Sequence, residues 1–128
     1  MLLNDFFFIE DWQPGDGLAR AFLRINWRHP IFEGHFPGRP VVPGACLLQI
    51  VKELMSMALG SEVRLVRANQ IKFISMISPD EDETMWMNVT WNSSLLSAGF
   101  QVTAEGIHAN EVCFRLKGSF QAGSDYAD

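Results

Sequence analysis

Cysteine is scarce in this sequence: only Cys46 and Cys113 occur, far apart, and neither belongs to a C-x-x-C pair. This excludes the usual zinc knuckles and dithiol redox motifs. We expect two free thiols, buried in a protein of the reducing cytoplasm, where disulfides rarely persist. The sequence accordingly predicts no metal site and no cofactor.

Long hydrophobic runs are also missing. The most apolar stretch near the start of the sequence, residues 6–9, is preceded by Asp5 and followed by Glu10 and Asp11. It has no basic flank and is too short for a signal peptide or a transmembrane helix. We therefore expect no membrane-spanning segment.

Positive charge is in short supply, with 10 Lys and Arg against 15 Asp and Glu, a net charge of −5. This weighs against nucleic acid as a partner, because binding phosphates requires a positive surface. Apolar residues are plentiful: they make up 48% of the chain and include ten Phe and four Trp. A chain of 128 residues with such a composition predicts a single folded domain over residues 1–128.

Alternation of apolar and polar residues predicts that most of the chain is β-strand. Between Leu18 and Trp27 the odd-numbered residues, Trp27 included, are apolar, while Arg20 and Arg24 fall on the other side. This period of two is typical of a strand with one buried face. A Pro-Gly-Asp-Gly turn at 14–17 predicts a hairpin with the strand before it. The predicted strands are 6–13, 18–27, 63–77, 84–91, 95–105 and 111–120.

One segment, residues 45–59, predicts an α-helix. Pro43 suits the first turn of this helix, and Gly60 suits the position after the last. The segment is apolar on most sides, which predicts a helix buried on most sides. Together with about six strands, it predicts an α+β domain whose antiparallel sheet wraps around one long central helix. The polar residues of the helix share one stripe; they are Gln49, Lys52, Glu53 and Ser56.

The segment before the helix, residues 29–44, is crowded with Pro and Gly and cannot form a regular helix or strand. We expect a stiff loop that carries function. His35 lies in this loop, and the loop ends at Gly44 and Ala45, where helix-start N–H groups have no intrahelical partner. A general base beside such donors is half of a catalytic site for a reaction that develops an oxyanion.

The run HFPGRPVVPG from His35 to Gly44, followed by a long apolar helix, resembles the motif of the (3R)-hydroxyacyl-acyl-carrier-protein dehydratases. Residues 71–73 and 77–80 resemble the family's strand after the helix and its closing turn. The resemblance implies a hotdog fold and a homo-oligomer, either a dimer or a trimer of dimers, with active sites at the subunit interface. It also implies an acyl carrier protein bearing an acyl-phosphopantetheine thioester as the partner.

The resemblance also implies roles for single residues. His35 would remove the α-proton of the substrate or hydrogen-bond the hydroxyl group that leaves. Backbone N–H groups at Gly44 would polarise the thioester carbonyl, and Phe36 and Val42 would flank the acyl tunnel. The residues implied in substrate binding are Phe36, Gly38, Val42, Gly44 and Ala45.

The sequence departs from the family at one catalytic position. Fourteen residues after the motif histidine the family has Glu or Asp, which protonates the departing hydroxyl, whereas this chain has Gln49. An amide cannot give up a proton at pH 7. Where the family often has Gln, four residues further on, this chain has Glu53. Because the two positions lie about 6 Å apart along one helix face, we hypothesise that Glu53 supplies the acid, through water or through Gln49.

Simpler roles are open for the same residues. His35 is alternatively a structural loop histidine, and Gln49 and Glu53 are alternatively part of a solvated stripe, with Glu53 satisfied by neighbouring Lys52 or Ser56. A metal site made of His29, Glu33 and His35 is disfavoured, because their spacing passes through Pro30 and a loop. His108 is expected in a solvated turn over residues 106–110.

Three arginines, Arg20, Arg24 and Arg28, recur at every fourth residue. They predict either an exposed strand face or a landing site for the acidic carrier protein, which would steer its association. Further basic residues are candidates for the same surface: Arg39, Arg64, Arg67 and Lys72.

The resemblance thus implies a dehydratase that removes water from a (3R)-3-hydroxyacyl thioester in fatty acid or related lipid or polyene biosynthesis. Two alternatives remain open. A hotdog thioesterase would use a helix carboxylate to activate water. A non-catalytic subunit would bind the acyl carrier without turnover or pair with an active subunit.

Overall fold

The computed structural model describes residues 1–33, 38–93 and 99–123. Within these ranges the strands form one antiparallel sheet in the order β1-β2-β4-β5-β6-β3. The helix α1 packs against β2, β3 and β4. The predicted α+β hotdog fold, a six-stranded sheet around one helix, is confirmed. The elements are β1 (Phe7–Gly15), β2 (Leu18–Ile25), a 3-10 turn (Pro30–Phe32), α1 (Gly44–Leu59), β3 (Val63–Phe73), β4 (Thr84–Ser93), β5 (Gly99–His108) and β6 (Glu111–Ala122).

The core lies between the helix and the inner face of the sheet. Ala21 and Leu23 of β2 and Ile50 and Val51 of α1 are all fully buried. The alternation in β2 therefore buries one face, as predicted. Trp27 was assigned to the same buried face, which is wrong: it follows the end of β2 and is 39% exposed.

Two predicted boundaries differ in the structure. β3 ends at Phe73, four residues before the predicted end, because the N–H groups of Ile74 and Ser75 both donate to the carbonyl of Cys113, which closes the ladder. β5 instead runs on to His108, so the predicted turn at 106–110 shrinks to two residues with positive φ, 51° at Ala109 and 64° at Asn110. The predicted start of β5, at residues 95–98, lies outside the described residues.

His108 is buried, so the expectation of a solvated histidine is wrong. Its Nε2 lies 2.7 Å from the carbonyl oxygen of Asp82. The carboxylate of Asp82 in turn accepts from the backbone N–H and hydroxyl of Thr84, and these hydrogen bonds lower its pKa. The β5–β6 hairpin is thereby tied to the chain entering β4.

The two edges of the sheet are unlike. β1 carries Glu10, Asp11 and Pro14 and has a bulge between Ile9 and Asp11. β3 and the residues after it expose apolar side chains instead. Those more than a third exposed are Val66, Ile71, Phe73, Ile74 and Met76. In the described ranges, no helix has both the length and the apolar composition needed to span a bilayer.

Candidate active site

The loop of the motif is held where it enters the helix. The N–H of Val42 donates to the carbonyl of Ile77 at 2.9 Å, and Val42 is 5% exposed. Gly38 has φ +82°, a conformation that favours glycine. His35, Phe36 and the rest of 34–37 lie outside the described residues, so their assigned roles remain predictions.

The start of α1 presents backbone N–H groups that have no acceptor within the helix. The N–H groups of Cys46 and Leu47 donate to the carbonyl of Pro43, and among the described residues none accepts from Gly44 or Ala45. Phe73 lies over this helix start: a Cβ at position 44 would be 2.7 Å from Cζ of its ring. A side chain at position 44 would therefore require the ring of Phe73 to move. From the sequence, residues 71–73 are predicted only as part of a strand that resembles one in the family.

Gln49 and Glu53 contact each other. Nε2 of Gln49 donates to Oε2 of Glu53 at 2.9 Å. Residues four apart lie about one turn apart on the same face of a helix, which allows this contact. Glu53 is 4% exposed, so its interpretation as part of a solvated stripe is wrong. Gln49 remains half-buried. The two residues that differ from the family pattern therefore form one hydrogen-bonded pair.

The carboxylate of Glu53 also accepts hydrogen bonds from the backbone N–H groups of Leu2 and Leu3. The N–H of Leu2 lies 3.0 Å from Oε1 and 2.8 Å from Oε2, and the N–H of Leu3 lies 2.9 Å from Oε1. Ser56, one alternative partner, donates instead to the carbonyl of Lys52 at 2.9 Å. Backbone donors give no sequence signal, so this contact could not be predicted.

Residues 2–7 form a compact turn, called here the N-terminal turn. The carbonyl of Leu2 accepts from the N–H groups of Asp5, Phe6 and Phe7 at 3.1, 2.7 and 3.2 Å. Asn4 adopts φ 66°, which a short polar residue tolerates. The turn thus holds the Leu2 peptide from one side while Glu53 holds it from the other.

Two cavities meet at the stripe of α1. One, of about 170 Å³, is mostly apolar; the other, of about 740 Å³, is an open cleft beside the N-terminal turn. Gln49 and Lys52 line both. The smaller cavity is otherwise lined by Ala45, Leu48, Leu65, Leu116 and Phe120. An amide group at the rim of an apolar pocket can orient a polar atom of a molecule whose remainder is apolar.

The remaining titratable candidates are engaged elsewhere. Nδ1 of His29 accepts from the N–H of Ile31, and its Nε2 lies 3.1 Å from the carboxylate of Asp5. Among the residues that the structure describes, no three metal-ligand side chains cluster. Cys46 and Cys113 are buried free thiols, as predicted. Burial raises the pKa of both thiols, that of Cys113 to about 11, so neither is an activated nucleophile.

The arginines of the early segment are paired with neighbours. Arg20 stacks on Trp86, 4.0 Å from the ring centroid, and Arg24 forms an ion pair with Glu10. Arg28 lies beyond the end of β2, beside Trp27. The outer face of β2 therefore presents two of the three arginines, and Glu10 offsets the charge of one.

Comparison with known proteins matches most of the chain to one family model. The model is called ApeI-like and described as ApeI dehydratase, and it covers residues 13–113. Among solved structures, the dehydratase heterocomplex ApeI:P from Xenorhabdus doucetiae is 16% identical, with a TM-score of 0.66 over 89% of this chain and 96% of that one. The PaaI protein of the Escherichia coli phenylacetic acid degradation operon is 10% identical, with a TM-score of 0.63 over 92% and 80%. These structures share the fold.

The curated relatives are 3-hydroxyacyl-[acyl-carrier-protein] dehydratases named FabZ. That of Clostridium acetobutylicum is 28% identical over 88 residues, which are 63% of this chain and 60% of the relative. That of Klebsiella pneumoniae is 25% identical over 97 residues, 76% of this chain and 62% of the relative. For Photorhabdus laumondii the identity is 28% over 67 residues, 52% of this chain and 44% of the relative. The chain spans less than two thirds of each relative.

Proposed function

Because this chain belongs to the ApeI-like family, we propose that it dehydrates a (3R)-3-hydroxyacyl thioester carried by an acyl carrier protein. The observation that carries the proposal is a half-buried amide, Gln49, at the rim of an apolar cavity, on the helix that begins at Gly44. The FabZ relatives act on 3-hydroxyacyl-[acyl-carrier-protein] by name, which supports the substrate class. The product would be the trans-2-enoyl thioester.

The proposed step gives each residue one task. His35 removes the α-proton while the N–H groups of Gly44 and Ala45 stabilise the negative charge that develops on the thioester oxygen. Gln49 orients the hydroxyl group that leaves. Phe36, Gly38 and Val42, which the family resemblance assigns to substrate binding, would contact the substrate. The cavity of about 170 Å³ would hold the start of the acyl chain. No metal or cofactor is required by this chemistry.

The hydroxyl needs a proton to leave as water, and we consider two sources. The imidazolium of His35 can return the proton that it took, or Glu53 can supply one. The oxygens of Glu53 already accept from Leu2, Leu3 and Gln49. This supports Glu53 acting through Gln49 as a positioning residue instead of as a direct acid.

The activity is tested by incubating the protein with a (3R)-3-hydroxyacyl carrier thioester and measuring the enoyl product and free carrier thiol separately. Enoyl product without thiol release is expected. Thiol release from a saturated acyl carrier would show a thioesterase and would overturn the proposal. His35→Ala is expected to abolish product formation, because it removes the proposed base.

Glu53→Gln tests the role of the carboxylate. If Glu53 contributes to the reaction, this variant loses activity while a matched change in the open cleft, Glu62→Gln, does not. Full activity in Glu53→Gln would exclude any role of Glu53 in the reaction. Gln49→Glu is assayed beside it, since it restores the residue of the family pattern.

A second candidate is a non-catalytic subunit that binds the acyl carrier, and Gln49 in place of the family's acid favours it. The ApeI:P structure is a dehydratase heterocomplex by name. Tight binding of the acyl carrier without turnover, or turnover only after mixing with a second subunit, would identify this function. Either way the expected assembly has at least two subunits, and the free thiols Cys46 and Cys113 fit a cytoplasmic protein.

A further inference from the structure

The orientation of the Gln49 amide follows from its partner. A carboxylate accepts hydrogen bonds and, when ionised, donates none. The end of the Gln49 amide that lies 2.9 Å from Glu53 must therefore be its NH₂ group. The carbonyl oxygen Oε1 is then the end turned away from Glu53, on a residue that lines both cavities.

Glu53 cannot easily turn to release this orientation. Its side chain is 4% exposed, and three backbone contacts from Leu2 and Leu3 fix both carboxylate oxygens. The two successive N–H groups point at one carboxylate, an arrangement that binds anions. The N-terminal turn, held at the carbonyl of Leu2, keeps these donors in place.

From this geometry we infer that Glu53 is a positioning residue that makes position 49 a hydrogen-bond acceptor, which selects acyl thioesters bearing a 3-hydroxyl donor. A side chain with a fixed acceptor favours a ligand that has an O–H to donate and loses a hydrogen bond with a ligand that lacks it. The inference rests on the proposed function and adds to it the group by which the substrate is recognised. The carboxylate acts here without giving up a proton.

The test is a comparison of binding, not of turnover. The probes are two pantetheine amides of equal acyl length, one 3-hydroxyacyl and one saturated, in which nitrogen replaces the thioester sulfur. Their Kd ratio is measured for the wild type, Glu53→Gln, Gln49→Leu and the control Glu62→Gln. We expect the wild type and the control to prefer the hydroxyl compound about tenfold, the yield of one well-made hydrogen bond.

Glu53→Gln is expected to lower this ratio several-fold, because two facing amides can pair in either orientation. Gln49→Leu is expected to bring the ratio near one. A wild-type ratio near one, or an unchanged ratio in either variant, overturns the inference. Should Glu53→Gln not fold, the wild type decides through the NMR signals of the Gln49 amide protons. These are expected to persist when the hydroxyl compound binds, and their displacement would overturn the assigned orientation.

The two proposals fail separately. Dehydration of the thioester without a hydroxyl preference in binding overturns only the role of Glu53. A hydroxyl preference that depends on Glu53, without dehydration or with thiol release, overturns only the proposed reaction.

Discussion

Glu53 is the residue on which the candidate site depends most. It is a buried carboxylate whose cost of burial is offset by hydrogen bonds from two backbone N–H groups and one amide. Changing only Glu53 or only Gln49 leaves the donors and acceptors of this group unmatched. Exchanging Gln49 and Glu53 together preserves one donor and one acceptor.

Gln49→Glu alone is expected to destabilise the protein by ~2 kcal/mol at pH 7, because it replaces a donor with a second carboxylate. Two carboxylates in one buried site repel each other, and the uptake of a proton relieves this repulsion, so the deficit is present at neutral pH and shrinks as the pH falls. The double variant Gln49→Glu, Glu53→Gln restores a donor–acceptor pair and is expected to recover most of this loss. Thermal unfolding at pH 5 and pH 7 measures both effects. A single variant as stable as the double one would contradict the described contact.

Cys113 supplies a second prediction at this scale. Burial raises its pKa to about 11, above the ordinary value of 9.0. The folded state keeps this proton when the unfolded state loses it, so its contribution to stability is present below pH 9 and is lost as the pH rises to about 11. We expect the free energy of unfolding to fall by ~2 kcal/mol over that range beyond the general alkaline loss. Urea titrations of the wild type and Cys113→Ala should differ in this slope, and parallel slopes would contradict it.

Individual elements were predictable where apolar spacing decides the structure. The helix at 45–59 and the buried face of β2 were found because burial needs a side-chain period that the sequence displays. The predicted ends of β3 and β5 were wrong because backbone hydrogen bonds determine where these strands end. For β3 these are the bonds to the carbonyl of Cys113, and for β5 they are the bonds to β6 beyond a bulge after Gly106. The hydrogen bonds from Leu2 and Leu3 to Glu53 could not be predicted either, because their donors are backbone N–H groups. The pairing of Gln49 with Glu53 was predictable, since helical spacing alone brings the two together.

Two glycines give a prediction about how elements pack. A Cβ at Gly118 would lie 2.5 Å from the carbonyl oxygen of Arg67, whereas one at Gly44 would meet only the half-exposed ring of Phe73. Because backbone cannot move aside, Gly118→Ala is expected to cost ~2 kcal/mol or more and to open the β3–β6 pairing. Gly44→Ala is expected to lower the free energy of unfolding by less, and not to lower it in a Phe73→Ala background. Chemical denaturation of the four variants measures this, and equal losses at the two glycines would contradict it.

At the scale of the whole molecule, the apolar edge of the sheet predicts self-association. Val66 is 51% exposed on β3, an edge strand with unpaired backbone groups, and further apolar side chains follow it. We expect a dimer through this edge, in agreement with the oligomer that the family resemblance implies. Val66→Lys is expected to shift the protein toward monomer in sedimentation velocity, while Thr90→Lys, on the exposed face of the central strand β4, is not. A wild-type monomer at high micromolar concentration would contradict the expectation.

The unlike edges have a consequence for how far such association can proceed. Glu10, Asp11, Pro14 and the bulge of β1 leave that side of the sheet without a surface on which another strand can add. Each chain therefore has one sheet edge, β3, that favours pairing with another strand and one, β1, that disfavours it. When two β3 edges pair, neither remains open, so no further strand can be added and no filament can grow by edge-to-edge pairing.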